Sequence, residues 1–289
     1  MEGGHIVNVT VLVENTSKRE DYLHEHGLSL FIETKGQKIL FDFGHTDKFI
    51  TNGEKMGVPF QDIDFAVLSH GHYDHGDGIP YFFEKNKTAP VYLQMNALIP
   101  YFSSKAERAV VFEDMSYIGL NPILRKEPYY HRFHFIDSMK KLNDGVTIYS
   151  GFEQRRLVPS INSSLYMMKE DGFVRDEFQH ECCLLIEENG KYYLFAGCAH
   201  NGIVNLVEQV EQFAGITIDV VFSGFHLHTS KKGNQVAKEE VLSLANTLKE
   251  MKTIFYTGHC TGVEEYKQMK EVLGEQLFSM STGDTFTFT

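Results

Sequence analysis

Asp64-Phe65-Ala66-Val67-Leu68-Ser69-His70-Gly71-His72-Tyr73-Asp74-His75 is the stretch on which the fold turns. Its first half is a short apolar run with the composition of a buried strand. Its second half packs three imidazoles and a carboxylate into six residues. These are the donors that suit zinc, manganese and iron. Gly76-Asp77-Gly78-Ile79-Pro80 then reads as a loop entering a helix. The donors therefore sit where a strand ends, and Gly71 is expected to let the backbone turn tightly there. His70 and His72 can point one way while Asp74 and His75 point another, so that one motif supplies half of each of two neighbouring metal sites. Crowding so many donor groups together is costly unless something cationic holds them.

Outward from this motif, strands are expected at 6–13, 28–33 and 38–42, with Gly36-Gln37 as a hairpin turn, and a helix at 47–56. A helix at 79–85 and a strand at 91–94 follow. Residues 97–134 are rich in Tyr, Phe, Arg and His without clear period, and are read as an insertion or lid over the site. The second half offers strands at 146–149, 182–187, 191–196, 218–222 and 253–256, with Asn189-Gly190 as a strong hairpin signal. Amphipathic helices are expected at 202–213, 236–251 and 263–273, the first burying Ile203, Leu206, Val207, Val210 and Phe213. Both halves thus give strands with covering helices, a two-sheet sandwich flanked by helices across 1–289.

Three later places repeat the context of a short apolar strand followed by a polar turn. They are Phe195-Ala196-Gly197-Cys198-Ala199-His200, Phe222-Ser223-Gly224-Phe225-His226-Leu227-His228 and Phe255-Tyr256-Thr257-Gly258-His259-Cys260. Strand ends on one rim of a sheet converge, so His200 and His259 are candidate ligands and His226 a candidate substrate contact. His228 is read as non-functional. His180 precedes a strand and is an alternative ligand. Glu181 and Asp42 are carboxylates placed to orient a liganding His. His131 and His134 are read as surface or substrate-facing, and His24 and His26 as surface residues near the mouth. Cys182 and Cys183 read as core; Cys198 and Cys260, each within two residues of a His, are possible ligands or supports.

The 289 residues are 42% hydrophobic and 23% charged, ordinary for a globular chain with a sizeable core. A net charge of −12 argues against general nucleic-acid binding, which needs a basic face. No apolar run has the length of a membrane span. Met1-Glu2-Gly3-Gly4-His5 lacks the features of a signal peptide, so a cytoplasmic location is expected. Four cysteines without a CxxC pair do not make a disulfide framework or a zinc knuckle. The expected partner is a small molecule, with the oligomeric state left open, homo-oligomers included.

HxHxDH after a strand, with single donors on later strand ends, resembles the metallo-β-lactamase superfamily. The resemblance implies an α/β fold, the four-layer αββα sandwich, with a metal centre at one edge, and Asp42 matches the superfamily's early structural Asp. Gly197-Cys198-Ala199-His200-Asn201-Gly202-Ile203-Val204-Asn205 is similar to a GCSHxGIxN signature, Ser223 to Leu227 resembles GGFHL, and His259-Cys260-Thr261-Gly262 matches HCTG. Together they look like the dihydropterin-ribofuranosylaminobenzene 5′-phosphate synthase-like subgroup of metal-dependent hydrolases. Ala199 replaces a Ser of that pattern and Ser223 a Gly. Cys198 stands nearest the place of the usual bridging Asp, which makes it a second-choice ligand.

The ligand set that follows is His70, His72 and His200 on one divalent metal and Asp74, His75 and His259 on the other. Zinc is the default, with manganese or iron also suited. Asp74 would also orient the attacking hydroxide, and His226 would donate a hydrogen bond to the substrate. The expected activity is hydrolysis of a phosphoester or phosphodiester, with Arg155 and Arg156 holding the anion. The subgroup implies an alternative, a synthase joining a dihydropterin diphosphate to an aminobenzene riboside phosphate, with Tyr101, Phe102, Tyr129 and Tyr130 stacking on the pterin. A non-catalytic metal-dependent sensor is the third class.

Overall fold

Val7–Val13 buries alternate residues, and the hairpin of Ser29–Thr34 and Gln37–Phe41 continues that apolar face. The structure, a computed structural model, describes residues 7–34, 36–104, 112–228 and 236–289. The expected strand start at Ile6 lies outside these. The first sheet has seven strands, in the order Thr285–Phe288, Val7–Val13, Ser29–Thr34, Gln37–Phe41, Phe65–Val67, Val91–Gln94 and Phe133–Ile136. The second also has seven, in the order Leu277–Ser279, Ile254–Thr257, Val220–Phe222, Lys191–Phe195, Cys182–Glu188, Val146–Ser150 and Met139–Asn143.

The two sheets share a core that includes Val9, Leu30, Phe41, Ile148, Leu184, Phe195 and Phe222. Helices Lys48–Met56 and Ile79–Lys85 cover the outer face of the first sheet through Phe49 and Phe82. Helices Ile203–Ala214, Lys238–Lys249 and Val263–Leu273 cover the second through Val207, Leu244 and Met269. This is the expected αββα sandwich. Asn189 and Gly190 both take positive φ, 56° and 72°, the geometry of a tight hairpin turn.

Three expectations are corrected. Phe213 is 52% exposed instead of buried, and its ring stacks on Tyr149 at the helix edge. Two terminal strands, Leu277–Ser279 and Thr285–Phe288, follow the helix taken as the last element. The segment at 97–134 is less irregular than its composition suggested. Tyr101–Ser104 and Met115–Tyr117 join Leu165–Lys169 and Gly172–Arg175 in a third, four-stranded antiparallel sheet. Residues 105–111 of that segment lie outside the described residues. No helix among the described residues is long and apolar enough to cross a membrane.

Candidate metal centre

Parallel pairing decides where the donors gather. Gln37–Phe41 and Phe65–Val67 run parallel, as do Lys191–Phe195, Val220–Phe222 and Ile254–Thr257, so their C-terminal ends share a rim. Asp42, His70, His200, His226 and His259 all follow such ends. Close approach of the two sheets at this rim needs missing side chains. A Cβ on Gly197 would collide with Ser69 Oγ and crowd His70 Nδ1, and a Cβ on Gly71 would strike the Ala97 carbonyl. Gly71 therefore serves backbone proximity, and it is not among the residues with positive φ. Asp42, Ala199, His226 and His259 do take positive φ, so non-glycine strain is concentrated around the site.

Hydrogen bonds at the far side of each ring decide which nitrogen faces inward. Ser69 Oγ donates to Asp42 Oδ2 at 2.8 Å, so His70 Nδ1, 2.8 Å from that hydroxyl, must donate to it. His75 Nδ1 donates to the same Asp42 oxygen at 2.6 Å. His200 Nδ1 donates to Asn162 Oδ1 at 3.2 Å, while the Asn162 amide donates to the His200 carbonyl. His259 Nδ1 donates to Asn15 Oδ1 at 2.9 Å. A neutral imidazole carries one N–H, so in the neutral form that a metal ligand must take each of these rings presents a bare Nε2. The Nε2 atoms of His70, His72 and His200 are buried without any partner. His75 Nε2 and His259 Nε2 face each other at 3.1 Å.

The donors of His70, His72 and His200 lie within 4.8 Å of one another, as do those of His26, Asp74 and His259, and those of His70, His75 and Cys198. Lone pairs converging in a buried space without donors of their own fit a divalent cation. Asp74 Oδ2 stands 3.3 Å from His259 Nε2 and 3.8 Å from His75 Nε2. Cys198 Sγ reaches His75 Nε2 at 3.2 Å, and the His226 N–H donates to Cys260 Sγ at 3.3 Å. A cavity of about 260 Å³ opens over these groups, lined by His26, His72, Asp74, His200, His226 and His228 on one side and by Ser116, Tyr117, Ile118 and Leu165 of the third sheet and its flanks on the other.

Residues 24–137 match the sequence profile described as the metallo-beta-lactamase superfamily. That stretch, which carries the His70–His75 motif, is similar to this superfamily. The chain is 26% identical, over its whole length and 99% of the relative's, to the 7,8-dihydropterin-6-methyl-4-(beta-D-ribofuranosyl)-aminobenzene-5′-phosphate synthase of Methanocaldococcus jannaschii. Among solved structures it superposes on Tm1679, a metal-dependent hydrolase of the beta-lactamase superfamily, with a TM-score of 0.77 at 22% identity, covering 97% of this chain and 98% of the other. Zn(2+)-bound PqqB from Methylobacterium extorquens gives a TM-score of 0.58 at 11% identity, with 96% and 99% covered. These two structural likenesses concern the fold.

Within this metallo-β-lactamase frame, other expected residues take different places. His180 is not available as a ligand. Its Nδ1 accepts from the Gly71 N–H at 2.9 Å and its Nε2 donates to Asp176 at 3.1 Å, so both nitrogens are used and the ring holds the His70–His72 loop in place. Glu181 grips the other loop, accepting from the backbone N–H groups of His200 and Asn201 and from the Asn201 amide. Arg155 and Arg156 do not reach the cavity. They are exposed; Arg155 pairs with Glu153 of its own loop and Arg156 with Glu208 of the helix Ile203–Ala214. Tyr101, Phe102, Tyr129 and Tyr130 are not a stacking platform either. Their rings pack on His180, on Tyr117 and Phe173, on Phe83, and on Phe133 and Phe135 respectively. His26, read as a surface residue, instead lies against His259 with ring centroids 4.9 Å apart. Nothing in its local sequence beyond the adjoining Gly27 marked it.

Burial keeps the inward rings neutral. It pushes His72, His226 and His259 down to about 3, and holds His70 and His200 well below the ordinary value of 6.5. Burial opposes the charge on Asp74 too, but His75 and His26 hold it well below the usual carboxylate range. On His75 burial is outweighed by Asp42 and Asp74, and the ring is raised. The linkage has a definite sign. Between pH about 6.5 and about 3 the unfolded chain binds protons on His72, His226 and His259 that the fold refuses, so stability falls as pH falls. Below the ordinary carboxylate value Asp74 adds to the loss, whereas the contribution of the raised His75 is present below 6.5 and is lost only as pH rises above it. Chelator-treated protein is therefore expected to show a steep decline of the urea midpoint below pH 6. A midpoint independent of pH down to 4.5 would contradict this.

Proposed function

We propose that this protein is a metal-dependent hydrolase whose rim binds two divalent cations and cleaves a phosphoester, a phosphodiester foremost. The reading is carried by one observation, the convergence of the bare, buried Nε2 atoms of His70, His72 and His200 beside a second cluster of donors beneath a cavity. His70, His72 and His200 would hold one cation, and Asp74, His75 and His259 the other, with Cys198 beside His75 as a further donor. Bound there, the pair would supply a water of lowered pKa and a clamp for the attacking and leaving oxygens of an in-line displacement.

The chain's own residues do the rest. His226 is buried with neither ring nitrogen partnered, and its ring stands 4.1 Å from that of His200. On the cavity wall it is placed to hydrogen-bond a substrate oxygen. Tyr117, Ile118 and Leu165 give the cavity a partly apolar wall that would exclude water from the reacting centre. On this reading the third sheet, in which Leu165–Lys169 and Gly172–Arg175 join the strands of the 97–134 segment, would serve as a lid.

Zinc- or manganese-reloaded protein is expected to turn over bis(p-nitrophenyl) phosphate, with activity lost on chelation and restored by metal. Complete inactivity on a panel of mono- and diesters with zinc, manganese and iron would overturn the reading. The full-length relation to the Methanocaldococcus jannaschii synthase favours a second one, condensation of a dihydropterin diphosphate with an aminobenzene riboside phosphate. Product formation from those two compounds, without phosphoester turnover, would select it.

A further inference from the structure

We infer that His26 is a positioning residue of the second donor group, a histidine that keeps its proton on Nε2, gives it to Asp74, and does not itself ligate. The inference rests on the reading of the rim as a metal centre. It begins with the side-chain amide of Asn15. The Gly27 backbone N–H lies 3.2 Å from Asn15 Oδ1. A backbone N–H can only donate, so that atom is the amide oxygen, and the other atom is the nitrogen. The nitrogen stands 3.3 Å from His26 Nδ1 and 3.2 Å from the His259 carbonyl.

Opposite consequences follow for two neighbouring rings. His259 Nδ1 faces the amide oxygen and must donate, which leaves its Nε2 bare. His26 Nδ1 faces the amide nitrogen and must accept, which places the proton of the neutral ring on Nε2. That Nε2 lies 3.2 Å from Asp74 Oδ2. The two rings stack at 4.9 Å and 27°, so the same amide sets one as a lone-pair donor and the other as a proton donor. The His26 side chain is 32% exposed and Asp74 9%, so the hydrogen bond reaches Asp74 from the cavity side. It holds the carboxylate beside the Nε2 atoms of His75 and His259. Proximity alone would count His26 as a ligand; the amide orientation removes the lone pair it would need.

The test combines imidazole ¹⁵N spectra with zinc titrations of the full chain. His26 is expected to show the Nε2–H tautomer both metal-free and with two equivalents of zinc. His26→Ala is expected to weaken the second zinc equivalent by about 10- to 100-fold and leave the first unchanged. His26→Gln, whose amide can still donate to Asp74, is expected to recover most of that loss. An Nδ1–H tautomer would overturn the inference. So would equal losses in the two variants, which would make His26 a ligand, or no loss in either. Wild-type protein that bound no zinc would defeat the dinuclear reading by itself, and the metal-free spectrum would then decide His26 separately.

Discussion

Replacing His72 by Ala is expected to remove one equivalent of bound metal and to lower phosphodiester turnover by at least about a thousandfold, the several kcal/mol that metal-assisted charge stabilisation supplies. His72 follows Gly71 on the tight approach to Ala97, and its ring meets those of His70 and His200 edge-on at 4.6 and 4.8 Å. Its Nε2 is buried without a partner, and His180, the alternative ligand beside it, spends both nitrogens elsewhere. Two remaining imidazoles fall short of the three protein ligands that a catalytic zinc needs. The variant also separates binding from folding. An unpartnered buried nitrogen is a cost in the metal-free state, so metal-free His72→Ala protein should match the wild type in urea, while only the wild type should gain stability from added zinc. Full metal content in the variant, measured after gel filtration, would end the ligand assignment.

Asp42→Ala is expected to lose about 3–5 kcal/mol of stability and both metal equivalents. Asp42 is fully buried and serves four groups. Its carboxylate accepts from the Ser69 N–H, from Ser69 Oγ and from His75 Nδ1, and through Ser69 Oγ it also fixes the tautomer of His70. Removing it frees His70 and His75 to turn their protons inward, one in each donor group. Asp42→Asn is the control for the backbone. The residue sits at φ 59°, which Asn tolerates, so this variant should keep the fold better while its amide still disturbs the donors. Urea midpoints and metal analysis read both effects. Wild-type metal loading in Asp42→Ala would show that the ligands orient themselves.

The parts that could be read from the chain were those with local causes. The strand at Phe65–Val67 and its donors are contiguous, so composition and spacing locate them together. The Asn189-Gly190 turn and the helix beginning at Ile203 are likewise local signals. What escaped has distant causes. Tyr101–Ser104 looked irregular because its partner, Leu165–Lys169, lies far along the chain and neither run has a strong period of its own. His26 is placed by Asn15, which is in turn held by His259 from the other half of the molecule. The Arg155-Arg156 pair suggested an anion site only while Glu153 and Glu208 were not known to face it. His180 looked like a ligand because residue type reveals a donor but not how its nitrogens are spent.

The third sheet is assembled from two excursions, one leaving each half of the sandwich, and it stands apart from the strands that carry the donors. On the proposed reading, the wall that faces the substrate and the donors that hold the metals lie in different stretches of chain, so a graft of the former could leave the latter in place. Such a graft is not free. The run from Asp176 to Glu181, directly after Gly172–Arg175, secures Gly71 through His180, stacks Phe178 flat on His200, and clamps Asn201 through Glu181. A grafted flap that ignored those six residues would arrive with its hinge pins missing, and the failure would show first as loosened histidines, not as altered preference.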